Sequence, residues 1–123
     1  MKAKTQIIAC VTEFVKAGDQ HDVQALERVL HPQYQNVQDG FFAEKGLFQI
    51  AKAKYIQLVG DRTFGGNHRS IEIRGIEEFG EHMALVEATL EGPGLIFRSR
   101  IVTVREKGAW QVLFNFPKIL PKD

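Results

Sequence analysis

The chain has 123 residues, a formal net charge of +1 and 44% hydrophobic residues, the proportions of one soluble globular domain with a core of its own. Acids and bases are interspersed, so no basic stripe points to nucleic acid and no acidic tail to a basic partner. The single cysteine, Cys10, excludes an internal disulfide and any cysteine-cluster metal site, so a reducing compartment is natural. The N-terminus lacks the apolar stretch of a signal peptide, and no apolar run approaches membrane-spanning length. These features lead us to expect a cytoplasmic protein that spans 1–123 as one domain and uses neither a membrane nor nucleic acid.

The spacing of Ile7, Val11, Phe14 and Val15 predicts a helix from about Ala3 to Ala17, ended by Gly18. Asp22 is a candidate N-cap for a second, short helix that turns Val23, Leu26, Val29 and Leu30 inward. His31-Pro32 stops that helix, because proline disfavours helical backbone in the residue before it. Tyr34 to Asp39 reads as a short strand, and Asp39-Gly40 as a turn. From Glu44 or Lys45 to Val59 the apolar set predicts a third helix, ended by Gly60-Asp61. Phe64-Gly65-Gly66-Asn67 reads as a loop and a candidate pocket rim.

Everything after His68 has the composition of β-structure. Segments Arg69 to Phe79, Met83 to Glu91, Leu95 to Arg105 and Ala109 to Phe116 are rich in β-branched and aromatic residues and are separated by glycine-containing turns. Two-residue hairpins at Pro93-Gly94 and Lys107-Gly108 fix a register. They pair Ala88 with Ser99 and Val86 with Ile101, then Thr103 with Val112 and Ile101 with Phe114. Both hairpins put Val86, Phe97, Ser99, Ile101, Trp110, Val112 and Phe114 on one face. Met83, Leu85, Val102, Val104, Leu113 and Asn115 fall on the other, and the agreement supports the register.

This order of elements resembles the nuclear-transport-factor-2-like superfamily, the cone-shaped α+β fold shared with ketosteroid isomerases, polyketide cyclases and scytalone dehydratase. Gly18-Asp19 with Leu26 and His31-Pro32 is similar to the superfamily's "GD…L…HP" run. Met83 to Ala88 is similar to its central "A-x-V-x-V" strand, and Gly108 to Val112 to its final "G-x-W-x-I" strand. The branch it resembles most, over nearly the whole chain, is the one called putative lumazine-binding. The resemblance implies three helices packed on a curved, mainly antiparallel sheet, with an internal cavity. That branch often carries an acid on its penultimate strand, where Ser99 stands in this chain.

In such a fold the inward polar groups are the candidates for chemistry, because burying them without a partner or ligand is costly. Tyr34, Asp39 and Ser99, walled by Phe97, Trp110 and Phe116, are therefore the predicted lining of a hydrophobic pocket. Asp39 is the one candidate base, and Tyr34 a candidate donor to a developing enolate oxygen. Each has a structural alternative. An aspartate before glycine also caps its own turn, Tyr34 and Trp110 also serve as core, and Ser99 also fits as a small packing residue. His31 suits a helix-end role. The scattered histidines leave no metal-ligand spacing, and no cofactor is expected.

Three functions stay open: a small-molecule-binding domain for a hydrophobic ligand, an acid/base isomerase, dehydratase or cyclase acting on a hydrophobic carbonyl compound, and a dimeric assembly module with a vestigial cavity. The outward apolar set Met83, Leu85, Val102, Val104 and Leu113, joined by Ile76 if Gly80-Glu81 closes a two-residue hairpin, predicts a homodimer through the convex sheet face.

Overall fold

The computed structural model describes residues 2–41 and 44–122. In chain order the elements are α1 (Lys2–Asp19), α2 (Val23–Val29), β1 (Leu30–Phe41), β2 (Glu44–Ala51), α3 (Lys52–Gly60), β3 (Ser70–Glu78), β4 (Met83–Gly92), β5 (Leu95–Arg105) and β6 (Trp110–Pro121). The six strands form one curved, unclosed sheet in the order β2-β1-β6-β5-β4-β3. Every neighbouring pair is antiparallel except β1 and β6. None of the helices among the described residues is long and apolar enough to cross a membrane.

The helices lie on the concave face. Ile7, Val11, Phe14 and Val15 form the buried stripe of α1, and Leu26 and Val29 that of α2. They meet Ala84, Val86, Ile101, Trp110 and Val112 of the sheet in a single core. Apolar area removed from water at roughly 25 cal/mol per Å² is the main force holding these layers together. The Asp22 carboxylate accepts a hydrogen bond from the Ala25 amide at 3.1 Å, which caps α2 as its sequence position predicts. Lys52 reaches back to donate to the Glu27 and Leu30 carbonyls at the other end of that helix.

Two expectations are corrected here. The segment from Glu44 to Val59 is not one helix, because its first half is the edge strand β2, hairpinned onto β1. Gly46, at φ +118°, breaks a helical run, while Phe48 and Ile50 are half-buried at strand spacing. The helix begins only at Lys52, where Tyr55 and Val59 enter the core. The β3–β4 connection is one residue longer than a two-residue hairpin, with the Phe79 amide bonded to the Met83 carbonyl. Ile76 thus pairs with Val86 and packs against the core, not on the convex face.

The register of β4 with β5 matches the sequence reading throughout, including Ala88 with Ser99 and Val86 with Ile101. Between β5 and β6 it holds from Arg105 to Thr103 and then shifts. Thr103 pairs with Val112, but Val102 pairs with Phe114, so Leu113 is the extra residue of a β-bulge. Beyond the bulge every β6 side chain changes face. Asn115 turns inward and is buried, while Phe114 and Phe116 turn outward and stack on each other at 5.7 Å between ring centroids.

Candidate functional site

The site lies between the sheet and the loop that joins α3 to β3. On β1 the alternation is strict, with Tyr34, Asn36 and Gln38 buried and Asp39 exposed. Asn36 is the register partner of Asn115 across the parallel β1–β6 pair, and Ser99 lies on the next strand, opposite Pro117. Three adjacent strands therefore turn polar side chains into the same space. The Gln38 amide donates to Asn36 Oδ1 at 2.8 Å. Ser99 Oγ and Asn115 Oδ1 are buried without a hydrogen-bond partner among the described residues. Such groups cost free energy unless something pairs with them.

These residues floor a cavity of about 160 Å³. Phe64 from the loop, Leu95 and Phe97 from β5, and Pro117 and Ile119 from β6 give it apolar walls, to which Thr63, Asn67 and Arg69 add polar groups. The loop is pinned to the end of α1. Gly66 donates its amide to the Gly18 carbonyl at 3.2 Å. A Cβ on Gly65, at φ +89°, would lie 2.3 Å from the same carbonyl oxygen, so only glycine allows this approach.

The firmest tie is an ion pair. Asp19, at the end of α1, accepts from the Arg69 backbone amide at 2.9 Å and from Arg69 Nε at 2.8 Å. The two side chains are only 7% and 12% exposed. The Arg69 guanidinium lies 4.6 Å above the Phe97 ring centroid, which fixes its plane beside the cavity.

Behind the floor sits an aromatic cluster in which the Tyr34 and Tyr55 rings meet edge-on at 5.2 Å and Phe14 flanks both. Burial pushes the Tyr34 hydroxyl well above the usual tyrosine range, with the neighbouring Tyr55 adding to the effect. Tyr55 is raised too, mainly by burial, with Arg69 pulling the other way. Both are therefore neutral near pH 7. The Tyr34 hydroxyl lies toward Asn36, Asn115 and Tyr55 but closes no hydrogen bond of good geometry.

The predicted site residues separate accordingly. Phe97 and Ser99 line the cavity, and Tyr34 stands immediately behind it. Asp39 is on the solvent side of β1, because Tyr34 points inward and Asp39 is an odd number of residues away. Phe116 is 41% exposed on the convex face, turned there by the bulge. Trp110 is buried at the opposite end of β6, with the Arg105 guanidinium 5.7 Å from its ring, and has no place in the cavity lining. His31 serves structure: its Nε2 meets Glu106 at 2.5 Å and its Nδ1 accepts the Gln33 amide. The sequence reading missed Asn36, Gln38 and Asn115 as lining residues, while Phe64, Gly65 and Asn67 of the loop it read as a pocket rim do line the cavity. Only the Phe64 to Asn67 rim could have drawn attention to this end of the molecule.

Residues 2–115 match the family described as Putative lumazine-binding. The chain belongs to that family. Its fold is that of the nuclear-transport-factor-2-like (NTF2-like) proteins. An NTF2-like protein from Silicibacter pomeroyi superposes with a TM-score of 0.82 at 18% identity, over 97% of each chain. A second, from Shewanella baltica, gives 0.82 at 13% identity over 98% of this chain and 96% of its own. A ketosteroid isomerase-like protein from Erwinia carotovora atroseptica gives 0.77 at 13% identity over 94% and 95%. At such identities the likeness establishes the fold alone. No curated protein matches the chain in sequence.

Proposed function

We propose that this family member is a small-molecule-binding domain whose site is the cavity between the sheet and the Phe64 to Asn67 loop. The observation that carries the reading is the convergence of four polar residues from three strands, Asn36, Gln38, Ser99 and Asn115, on the floor of a cavity whose walls include Phe64, Leu95, Phe97 and Ile119. Ligand sites combine apolar walls with a few convergent polar groups in this way. The acid/base alternative has less support. Among the described residues no carboxylate and no imidazole lines the cavity, and the nearest acid, Asp19, is held in its pair with Arg69. The test is a fragment screen read by thermal shift, repeated on Ser99→Leu, which fills the floor. Hits should bind Ser99→Leu at least tenfold more weakly while its circular dichroism is unchanged. Hits that bind the variant as well as the parent would remove the cavity as the site.

A second reading concerns assembly, and one observation favours it. Met83, Leu85, Val102, Val104 and Leu113 lie together on the convex face, and the bulge adds Phe114 and Phe116 to them. A free antiparallel face is ordinarily polar. We propose that this patch packs on its own copy in a twofold homodimer. The salt bridge between Arg100 and Glu87, at 3.1 Å, would lie at its rim.

A further inference from the structure

The class of ligand that the cavity accepts rests on the binding reading above and follows from the groups that reach its open space. Ser99 Oγ and Asn115 Oδ1 are sealed beneath the floor, so the groups able to touch a ligand lie toward the loop. Arg69 is the first of them. Its Nε and its backbone amide are taken by Asp19, but neither Nη1 nor Nη2 has an acceptor among the described residues, and neither is sealed from solvent. Asp19 thus holds one edge of the guanidinium and leaves the other to the cavity. Tyr55 is the second. Its hydroxyl closes no hydrogen bond of good geometry and, unlike that of Tyr34, is not sealed. Burial raises its pKa and keeps it a donor, and of the two charges beside it Arg69 acts more strongly than Asp19. The Tyr34 hydroxyl approaches the Tyr55 oxygen as a donor, which leaves the Tyr55 proton for the cavity.

Between these two donors the cavity wall is Gly18. A Cβ there would lie 3.6 Å from Arg69 Nη2 and 3.9 Å from the Tyr55 hydroxyl, with nothing else within 4 Å beyond its own helix. Both are ordinary van der Waals distances, and Gly18 is a residue of α1 without a positive φ. Glycine is a poor helix former, so neither packing nor backbone geometry calls for it. What it supplies is open space between the two donors. The positive edge of the Asp19–Arg69 pair faces that space, with a neutral hydroxyl beside it. A guanidinium edge matches a carboxylate, and such charge-assisted hydrogen bonds are about twice as strong as neutral ones. Thr63, an exposed residue, lines the same cavity, so a charge held there stays within reach of water. Size sets the rest: cavities of about 150 Å³ hold one benzene-sized ring, and this one has about 160 Å³.

We infer that the cavity takes a single-ring monocarboxylate, whose carboxylate enters the gap at Gly18 to accept from the Arg69 terminal nitrogens and the Tyr55 hydroxyl while its ring lies along Leu95, Pro117 and Ile119. Asp19 is a positioning residue here, because it fixes the guanidinium with its free edge toward the ligand.

The experiment titrates the full chain with benzoate, benzamide and toluene at millimolar concentration and follows backbone amide shifts of residues around Gly18, Tyr55 and Arg69 by NMR. Benzoate should bind roughly tenfold or more tightly than either of the others. Gly18→Ala should melt no lower than the parent, since alanine is the better helix former, yet weaken benzoate roughly tenfold and leave toluene unchanged. Arg69→Lys keeps a cation for Asp19 without the second edge, and Tyr55→Phe removes only the hydroxyl; each should weaken benzoate and leave toluene as it was. A Gly18→Ala chain that unfolds, or benzoate binding unchanged in all three variants, overturns the assigned gap. If benzamide or toluene matches benzoate, the carboxylate class is wrong although a binding cavity stands. If none of the three probes moves those signals, the class falls, and the cavity reading falls with it only when the fragment screen is empty too.

Discussion

Asp19→Ala should be among the most damaging single substitutions in the chain. It removes the acceptor of two hydrogen bonds, at 2.8 and 2.9 Å, and leaves the Arg69 guanidinium nearly buried without a counter-charge. Breaking one side of a buried pair costs about 3–5 kcal/mol. Domains are stable by only about 5–15 kcal/mol, so much of the total is at stake. Urea denaturation followed by the fluorescence of Trp110, the one tryptophan, measures it. With a slope of about 2 kcal/mol per molar, the midpoint should fall by about 1.5–2.5 M. Asp19→Asn keeps an acceptor for the backbone amide and should lose less. The decisive variant is Asp19→Leu with Arg69→Met, which replaces the pair by apolar groups. Its cost should fall well below the sum of the two single changes, because two partners of one buried pair are coupled. Strict additivity, or a loss under about 1 kcal/mol for Asp19→Ala, would refute the view that this pair holds the loop to α1.

The remaining predictions concern ionisation and assembly. The chain has two tyrosines, and both have raised hydroxyl values, so absorbance near 295 nm should show no tyrosinate step around pH 10 in the folded protein. Because the unfolded chain ionises first, their contribution is intact below pH 10 and stability falls as pH rises above it; a reversible step near pH 10 with the fold intact would contradict their burial. Val102→Asp should turn a dimer into a monomer in sedimentation equilibrium at micromolar concentration, and a parent chain that is already monomeric there would dispose of the convex interface.

The parts of the fold that obey alternation were legible in the sequence, and the candidate site is where alternation misleads. Pro93-Gly94 closes a two-residue turn, and the residues it then aligns on the inner face of β4 are all apolar, so the β4–β5 register follows from turn and pattern. Along β6 the same rule places Phe114 inside and Asn115 outside, since an apolar residue is expected in and a polar one out. The bulge at Leu113 reverses both. A local insertion leaves no mark in the hydrophobic pattern when its neighbours, Val112 and Phe114, are also apolar. Likewise Asn36 and Gln38 read as the wet side of a strand, yet they are the buried side. The edge strand β2 was hidden for a different reason: its apolar residues fit helical spacing, and only Gly46 argues otherwise.

The distribution of these exceptions carries the functional argument. On β4, which contributes nothing to the cavity lining, the inward residues Ala84, Val86, Ala88 and Leu90 are all apolar, as a core built for stability requires. The inward polar exceptions occur on β1, β5 and β6: Asn36, Gln38, Ser99 and Asn115 line the cavity, while Thr103 lies outside it with its hydroxyl donating to the Ala84 carbonyl. Polar side chains scattered by tolerance would fall on β4 as well. Stability alone favours apolar groups at such positions, because each buried polar atom left unpaired costs about 1–3 kcal/mol. Departures from local rules that converge on one space are what a ligand site requires. The β6 bulge belongs to the same arrangement: it brings Asn115 level with Asn36 on the floor and sends Phe114 and Phe116 to the convex face, so one inserted residue serves both the cavity and the surface through which we propose the chain assembles.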